Sequence, residues 1–83
     1  MYYVYILFSK KFDKFYVGQT NNFDVRLKQH NDGYDGFTKP YRPWQKALII
    51  EKHNRTEAME LERKLKNLSK QRKIAFIVKY KTE

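Results

Sequence analysis

Two runs of β-branched and aromatic residues stand six residues apart near the start of the chain: YYVYILF (Tyr2–Phe8) and FYVGQ (Phe15–Gln19). The first has no polar interruption and reads as a buried strand. The second is shorter and ends at a glycine and a glutamine. The SKKFDK between them is a turn, so the two strands form an antiparallel hairpin. Successive side chains on a strand point to opposite faces. Tyr3 and Tyr5 therefore share one face of the first strand, and Tyr16 and Gly18 share one face of the second. Whether these are the same face depends on the register, which the two runs leave open.

The rest of the chain must cover this hairpin. A first helix is predicted from Asn22 to Asp32, with Thr20, Asn21 or Asn22 as cap, Asp24 in its first turn and Gly33 as its stop. Phe23, Leu27 and His30 fall on one stripe of that helix. Arg26 and His30 are i, i+4 neighbours at the margin of the stripe, which places them near the sheet. GYDGFTKPYRPW (Gly33–Trp44) is a loop by its Gly, Pro and Asp content. QKALIIEKH (Gln45–His53) reads as a third strand. NRTEAMELERKLKNL (Asn54–Leu68) reads as a second helix, capped by Asn54 or Thr56, with Ala58, Leu61, Leu65 and Leu68 inward and Glu62 at the stripe's edge. Ser69 can cap a last helix, KQRKIAFIVKYK, with Ile74, Ile77 and Val78 facing inward; a strand also fits this segment.

An 83-residue chain is long enough for one small domain, here residues 1–83. With no cysteine there is neither a disulfide framework nor a thiolate metal site, and a reducing compartment suits it. No apolar run reaches the roughly 20 residues of a membrane helix, and the N-terminus is apolar before it is basic, the reverse of a secretion signal. These features lead us to expect a cytoplasmic protein that does not enter a membrane.

Charge gives the first functional direction. Lys and Arg number 18 against 9 Asp and Glu, a net +9 with a pI near 9.8. With aromatics at 17%, this composition favours a nucleic-acid binder, with cations for phosphates and flat faces for bases; a merely soluble basic surface and attraction to acidic lipids are the alternatives, and many of the aromatics must serve the core. Lys39 and Arg42, in the aromatic loop, are candidates for backbone contact.

The available chemistry is narrow. The chain has neither a glycine-rich phosphate loop nor HExxH, and Ser9 and Ser69 lack an evident His/Asp arrangement. With two histidines and no cysteine, a polyhistidine or Cys/His zinc site is not available. Tyrosine, arginine, histidine and a rim carboxylate remain, a set suited to phosphodiester hydrolysis. Arginine offers permanent charge and a planar fork for phosphate. A carboxylate can hold a largely hydrated Mg²⁺ for the leaving oxygen. Spacing alone favours a solvated Arg26, a half-buried His30 held by a backbone carbonyl, and a surface Glu62–Lys66 pair worth a few tenths of a kcal/mol.

YVY (Tyr3–Tyr5), YVG (Tyr16–Gly18), RLKQH (Arg26–His30) and AMELERKLK (Ala58–Lys66), in that order, resemble the GIY-YIG nuclease family, and the GFTKPYRP loop and the length resemble its small stand-alone bacterial members. The resemblance implies an α/β fold: a small three-stranded antiparallel sheet flanked by about three helices. It implies a divalent-metal-dependent DNA endonuclease using a single Mg²⁺ or Mn²⁺, acting on branched, damaged or single-stranded forms and linked to repair or recombination. Tyr5 and Tyr16 match the motif tyrosines, one of which helps deprotonate the attacking water; Tyr5 is favoured, with Tyr16 positioning it or the water. Arg26 matches the phosphate-holding arginine, His30 a frequent active-site histidine, Glu62 the metal glutamate, and Gly18 a point of close backbone approach. Gln19 stands where some relatives have lysine, and KIAFIVKYK holds no equivalent of the asparagine that many relatives carry near the chain's end, after the metal glutamate. Larger relatives choose DNA with appended domains, so a partner protein could supply specificity here; the sequence leaves the oligomeric state open, with a monomer favoured. The alternative is a DNA- or RNA-binding module without useful catalysis.

Overall fold

A computed structural model describes residues 1–82. Strands β1 (Tyr2–Ser9) and β2 (Lys14–Thr20) form the hairpin, followed by helix α1 (Phe23–Asp32), a single 3-10 turn at Lys39–Tyr41, strand β3 (Gln45–Lys52), and helices α2 (Arg55–Lys66) and α3 (Lys70–Thr82). The sheet is antiparallel throughout, in the order β2-β1-β3. The expected three strands and three helices are all present, and the last segment is helical. No helix of the described residues is long and apolar enough to cross a membrane.

The uninterrupted run of β1 follows from its central place. Val4, Tyr5, Ile6 and Leu7 are all buried, alternately under one face and the other. Val4 and Ile6 join Val17, Leu48 and Ile50 in a core closed by Ala58 and Leu65 of α2. Tyr5 and Leu7 join Trp44 on the opposite face, covered by Phe23 and Leu27 of α1 and by Tyr41. Tyr5 lies opposite Gly18, and Leu7 opposite Tyr16. Directly paired residues share a face, so Tyr3, Tyr5, Tyr16 and Gly18 stand together on the α1 side. This settles what the strand sequences left open.

The caps are those the sequence offers. Asn22 Oδ1 accepts the Val25 N–H at 3.3 Å, and Asn54 Oδ1 accepts the Glu57 N–H at 2.9 Å. Ser69 Oγ accepts the Arg72 N–H at 3.2 Å. Gly33 ends α1 with a φ of 84°, a left-handed conformation that favours glycine. Asn22 and Asn54 are thus caps, and each helix starts one residue after them.

One packing expectation is corrected. Ile74 and Val78 are 44% and 56% exposed, while Phe76 and Ile77 pack against the core. Ile74, Ile77 and Val78 do share a stripe, but it lies along the flank of the sheet beside Phe8 and Phe15. Helical periodicity gives the phase of an apolar stripe and says nothing of how squarely the helix sits on the sheet.

Candidate active site

The site is assembled at the edge strand β2. The Tyr5 side chain runs from the central strand across to its neighbour. Gly18 is the residue that lets it pass: a Cβ there would lie 2.4 Å from the Tyr5 hydroxyl oxygen and 2.6 Å from Cζ. Gly18→Ala is therefore expected to destabilise the protein by about 1–3 kcal/mol through overpacking, as measured by denaturant unfolding. An unchanged midpoint would mean that Tyr5 leaves this path freely.

Beyond Gly18 the Tyr5 hydroxyl meets His30 Nε2 at 3.0 Å. The other ring nitrogen, Nδ1, lies 2.8 Å from Thr38 Oγ1. Thr38 in turn donates to the Asp35 carbonyl at 3.4 Å. The assignment that gives every donor an acceptor has His30 Nδ1–H donating to Thr38, and Tyr5 O–H donating to Nε2. His30 and Thr38 are fully buried, and among the described residues no buried side-chain polar atom lacks a partner. The histidine is thus held in one neutral tautomer by two hydroxyls, a deeper placement than a half-buried ring on a backbone carbonyl.

Electrostatics follow from this burial. Desolvation, with the Arg26 charge adding to it, lowers the His30 pKa, against a weaker opposing pull from Asp35. A depressed histidine pKa contributes stability above the unfolded value, near 6.5, that is lost as pH falls below it. The melting midpoint should therefore drop between about pH 7 and about pH 5. A midpoint flat over that range would contradict a buried neutral imidazole. Desolvation also pushes the Tyr5 hydroxyl up to about 12; Arg26 opposes this through its charge and as a hydrogen-bond donor, while Tyr16 and Glu62 reinforce it. All three groups therefore act on one buried oxygen.

Arg26, at the margin of α1, reaches two further partners. Nη1 donates to Gln29 Oε1 and Nη2 to Asp35 Oδ2, each at 3.1 Å. Guanidinium has five N–H donors, so donors remain for a ligand. Asp35 is also a brace for the loop, its Oδ1 accepting the N–H groups of Phe37 at 2.9 Å and Thr38 at 3.4 Å. Burial disfavours its ionisation, but these two hydrogen bonds, the charge that His30 gains once acid protonates it, and the Arg26 charge outweigh that and hold its carboxyl below the ordinary range.

Glu62 stands on α2, across β2 from Tyr5. Its Oε1 accepts from Gln19 Nε2 at 3.2 Å, and its Oε2 faces Lys66 Nζ at 3.3 Å. The surface pair read from spacing is present, and the carboxylate also reaches the strand. No group of three or more His, Cys, Asp or Glu among the described residues could hold an ion. One hard, partly exposed carboxylate fits a divalent cation that keeps most of its water, as Mg²⁺ does, and does not fit an all-protein cage.

The structure thus brings together Tyr5, Tyr16, Arg26, His30, Gly18, Gln19 and Glu62. Lys39 and Arg42 lie elsewhere. Arg42 folds back onto the end of α1, donating to the Lys39 carbonyl at 2.9 Å and approaching the Asn31 carbonyl at 3.5 Å. Both line a separate groove with Asn31 and Pro43. Sequence reasoning missed Asp35 and Thr38. The available signal for Asp35 was an acid in an otherwise basic, aromatic loop; Thr38 gave none.

With this geometry established, similarity decides the family. The GIY-YIG catalytic domain model matches residues 1–75. The chain belongs to the GIY-YIG family. It is 35% identical over 78 residues to a UPF0213 protein of Clostridium perfringens, covering 93% of this chain and 83% of that one. It is 32% identical over 77 residues to a UPF0213 protein of Oceanobacillus iheyensis, covering 92% and 88%. The solution NMR structure of the UPF0213 protein BH0048 from Bacillus halodurans is similar with a TM-score of 0.60 at 31% identity, over 94% of this chain and 84% of that one. The fold expected of a GIY-YIG nuclease domain is therefore the fold this chain has.

Proposed function

We propose that the protein is a divalent-metal-dependent endonuclease that hydrolyses DNA phosphodiester bonds. The observation that carries this reading is a convergence at one strand edge: Tyr5 passes over Gly18 to His30, the Tyr16 ring lies against that histidine, Arg26 stands one helical turn before it, and Glu62 reaches Gln19, the neighbour of Gly18. Binding alone requires no carboxylate on a chain of charge +9.

Roles follow from placement. Arg26 holds the scissile phosphate with its remaining donors and neutralises charge as the transition state forms. Tyr16, partly exposed at the mouth of a cleft, is the base that takes a proton from the attacking water. This departs from the role favoured for Tyr5 by resemblance. A hydroxyl with its pKa near 12, already donating to His30, is poorly suited to accept a proton. Tyr5 is instead a positioning residue, fixing Arg26 and Tyr16 through the network that His30 and Thr38 complete. Glu62 would hold the cation, which when bound supplies positive charge for the leaving oxygen. Lys66 must give up its pairing with Glu62 for that to occur.

The test is incubation of pure protein with linear, nicked, branched and single-stranded DNA, with Mg²⁺, Mn²⁺ or chelator. Cleavage should require metal and disappear in Glu62→Gln, while DNA binding holds or tightens because a negative charge has left a surface facing phosphates. Tight binding with no cleavage of any substrate would leave a nucleic-acid-binding module in place of an enzyme.

A further inference from the structure

Phe37 has no role in the core, yet it is held in place. Its side chain is 70% exposed. The backbone around it is fixed from both sides: Asp35 Oδ1 accepts the Phe37 N–H at 2.9 Å, and the next residue, Thr38, is fully buried. The Thr38 hydroxyl meets His30, and its carbonyl takes the Trp44 indole N–H at 2.9 Å. A slack loop could turn a phenylalanine inward. This one presents it to solvent from a braced backbone, and the braces are residues of the site itself.

The ring overlooks a cleft of about 360 Å³. Tyr16 lies against it, with ring centroids 6.0 Å apart and planes inclined at 41°. Lys66 and Lys73 stand on another wall. Lys73 donates to the Leu68 carbonyl at 2.6 Å and Lys66 pairs with Glu62. An ammonium has three donors, so each retains capacity for an anion. The cleft thus joins an aromatic face and two cations to Tyr16, the proposed base.

Resting on the nuclease reading for its substrate, we propose that this cleft is a stacking subsite for one unpaired nucleobase next to the scissile phosphate, with Phe37 as the platform and Lys66 and Lys73 on the adjoining phosphates. A flat ring beside cations is the chemistry that holds single strands without reading sequence. A base within an intact duplex has both faces covered by its neighbours, so only a base out of the stack can lie on Phe37. The site would accordingly favour DNA that is single-stranded at the point of cleavage.

The experiment measures binding of labelled single-stranded and duplex oligonucleotides by anisotropy in chelator, for the parent, Phe37→Ala, Phe37→Trp and Tyr34→Ala. Phe37→Ala should lose about tenfold or more in single-strand affinity and much less for duplex. Phe37→Trp should restore affinity, with indole fluorescence quenched by single strands beyond any change in the parent. Tyr34, 74% exposed on the same loop but outside the cleft, serves as control, and its alanine variant should bind as the parent does. Single-strand affinity unchanged in Phe37→Ala would overturn the proposal, as would an equal loss for duplex. Cleavage with metal is read separately. A parent that cuts while Phe37→Ala binds normally overturns the subsite alone. A parent that cuts nothing while Phe37→Ala binds single strands poorly overturns the nuclease reading and leaves the subsite standing.

Discussion

Arg26→Ala is expected to reduce cleavage by at least about 100-fold, the scale on which one preorganised donor to a developing anion acts. The fold should hardly notice. The Arg26–Asp35 pair is part-exposed, at 29% and 22% for the two side chains, and such pairs contribute about 0–1 kcal/mol. Asp35 keeps the Phe37 and Thr38 N–H groups when the guanidinium is gone, so the loop stays braced. DNA affinity should fall only modestly, because Arg26 is one of 18 basic residues. Arg26→Lys retains the charge but not the planar fork and should leave a small remnant of activity. Kinetics and thermal melts on one set of preparations separate this from a structural role. Both variants cutting at the parental rate would reduce Arg26 to a loop tether and remove the centre of the nuclease reading.

How much of this was legible in the sequence depended on whether the information was local. The strands were readable because β1 is buried on both faces, which leaves an unbroken apolar run. Asn22, Asn54 and Ser69 are caps that act within three residues, so they too could be read. The register of Tyr5 on Gly18 was not readable, since a six-residue connection does not fix pairing; only the order of the motifs suggested that the tyrosines meet. His30 was placed at the margin of its stripe, but its partners come from β1 and from the loop, 25 and 8 residues away. Glu62–Lys66 was visible as a helical neighbour pair, whereas Gln19–Glu62 spans 43 residues. Lys39 and Arg42 were expected near DNA because the loop is basic. The path of the loop sets both on an exposed groove away from Tyr16 and leaves Phe37 and Asp35 beside that tyrosine. Composition describes what a loop carries, and its tertiary anchors decide which side chain faces the site.

The two motif tyrosines should separate cleanly. Tyr16→Phe is expected to lower cleavage by about 10²–10⁴, the usual contribution of a general base, with stability near that of the parent. Its ring contacts, 5.1 Å from His30 and 6.2 Å from Trp44 between centroids, remain in the phenylalanine. Tyr5→Phe should behave differently. It strands His30 Nε2 in a buried site, at a cost of about 1–3 kcal/mol, and frees Arg26 from one of the groups that orient it. Its loss of activity should be smaller and should track the loss of stability. With a pKa near 12, Tyr5 is ionised to about one part in 10⁴ at pH 8, against about one part in 10² for an ordinary tyrosine. A raised tyrosine pKa also contributes stability that is complete below about pH 10 and lost as pH climbs from there toward 12. Tyr5→Phe should therefore remove part of the alkaline destabilisation seen in the parent, and Tyr16→Phe provides the comparison. The reverse pattern, with Tyr5→Phe inactive at parental stability and Tyr16→Phe active, would return the base to the buried tyrosine. The Tyr5–His30 hydrogen bond would then have to be the route by which the water's proton leaves.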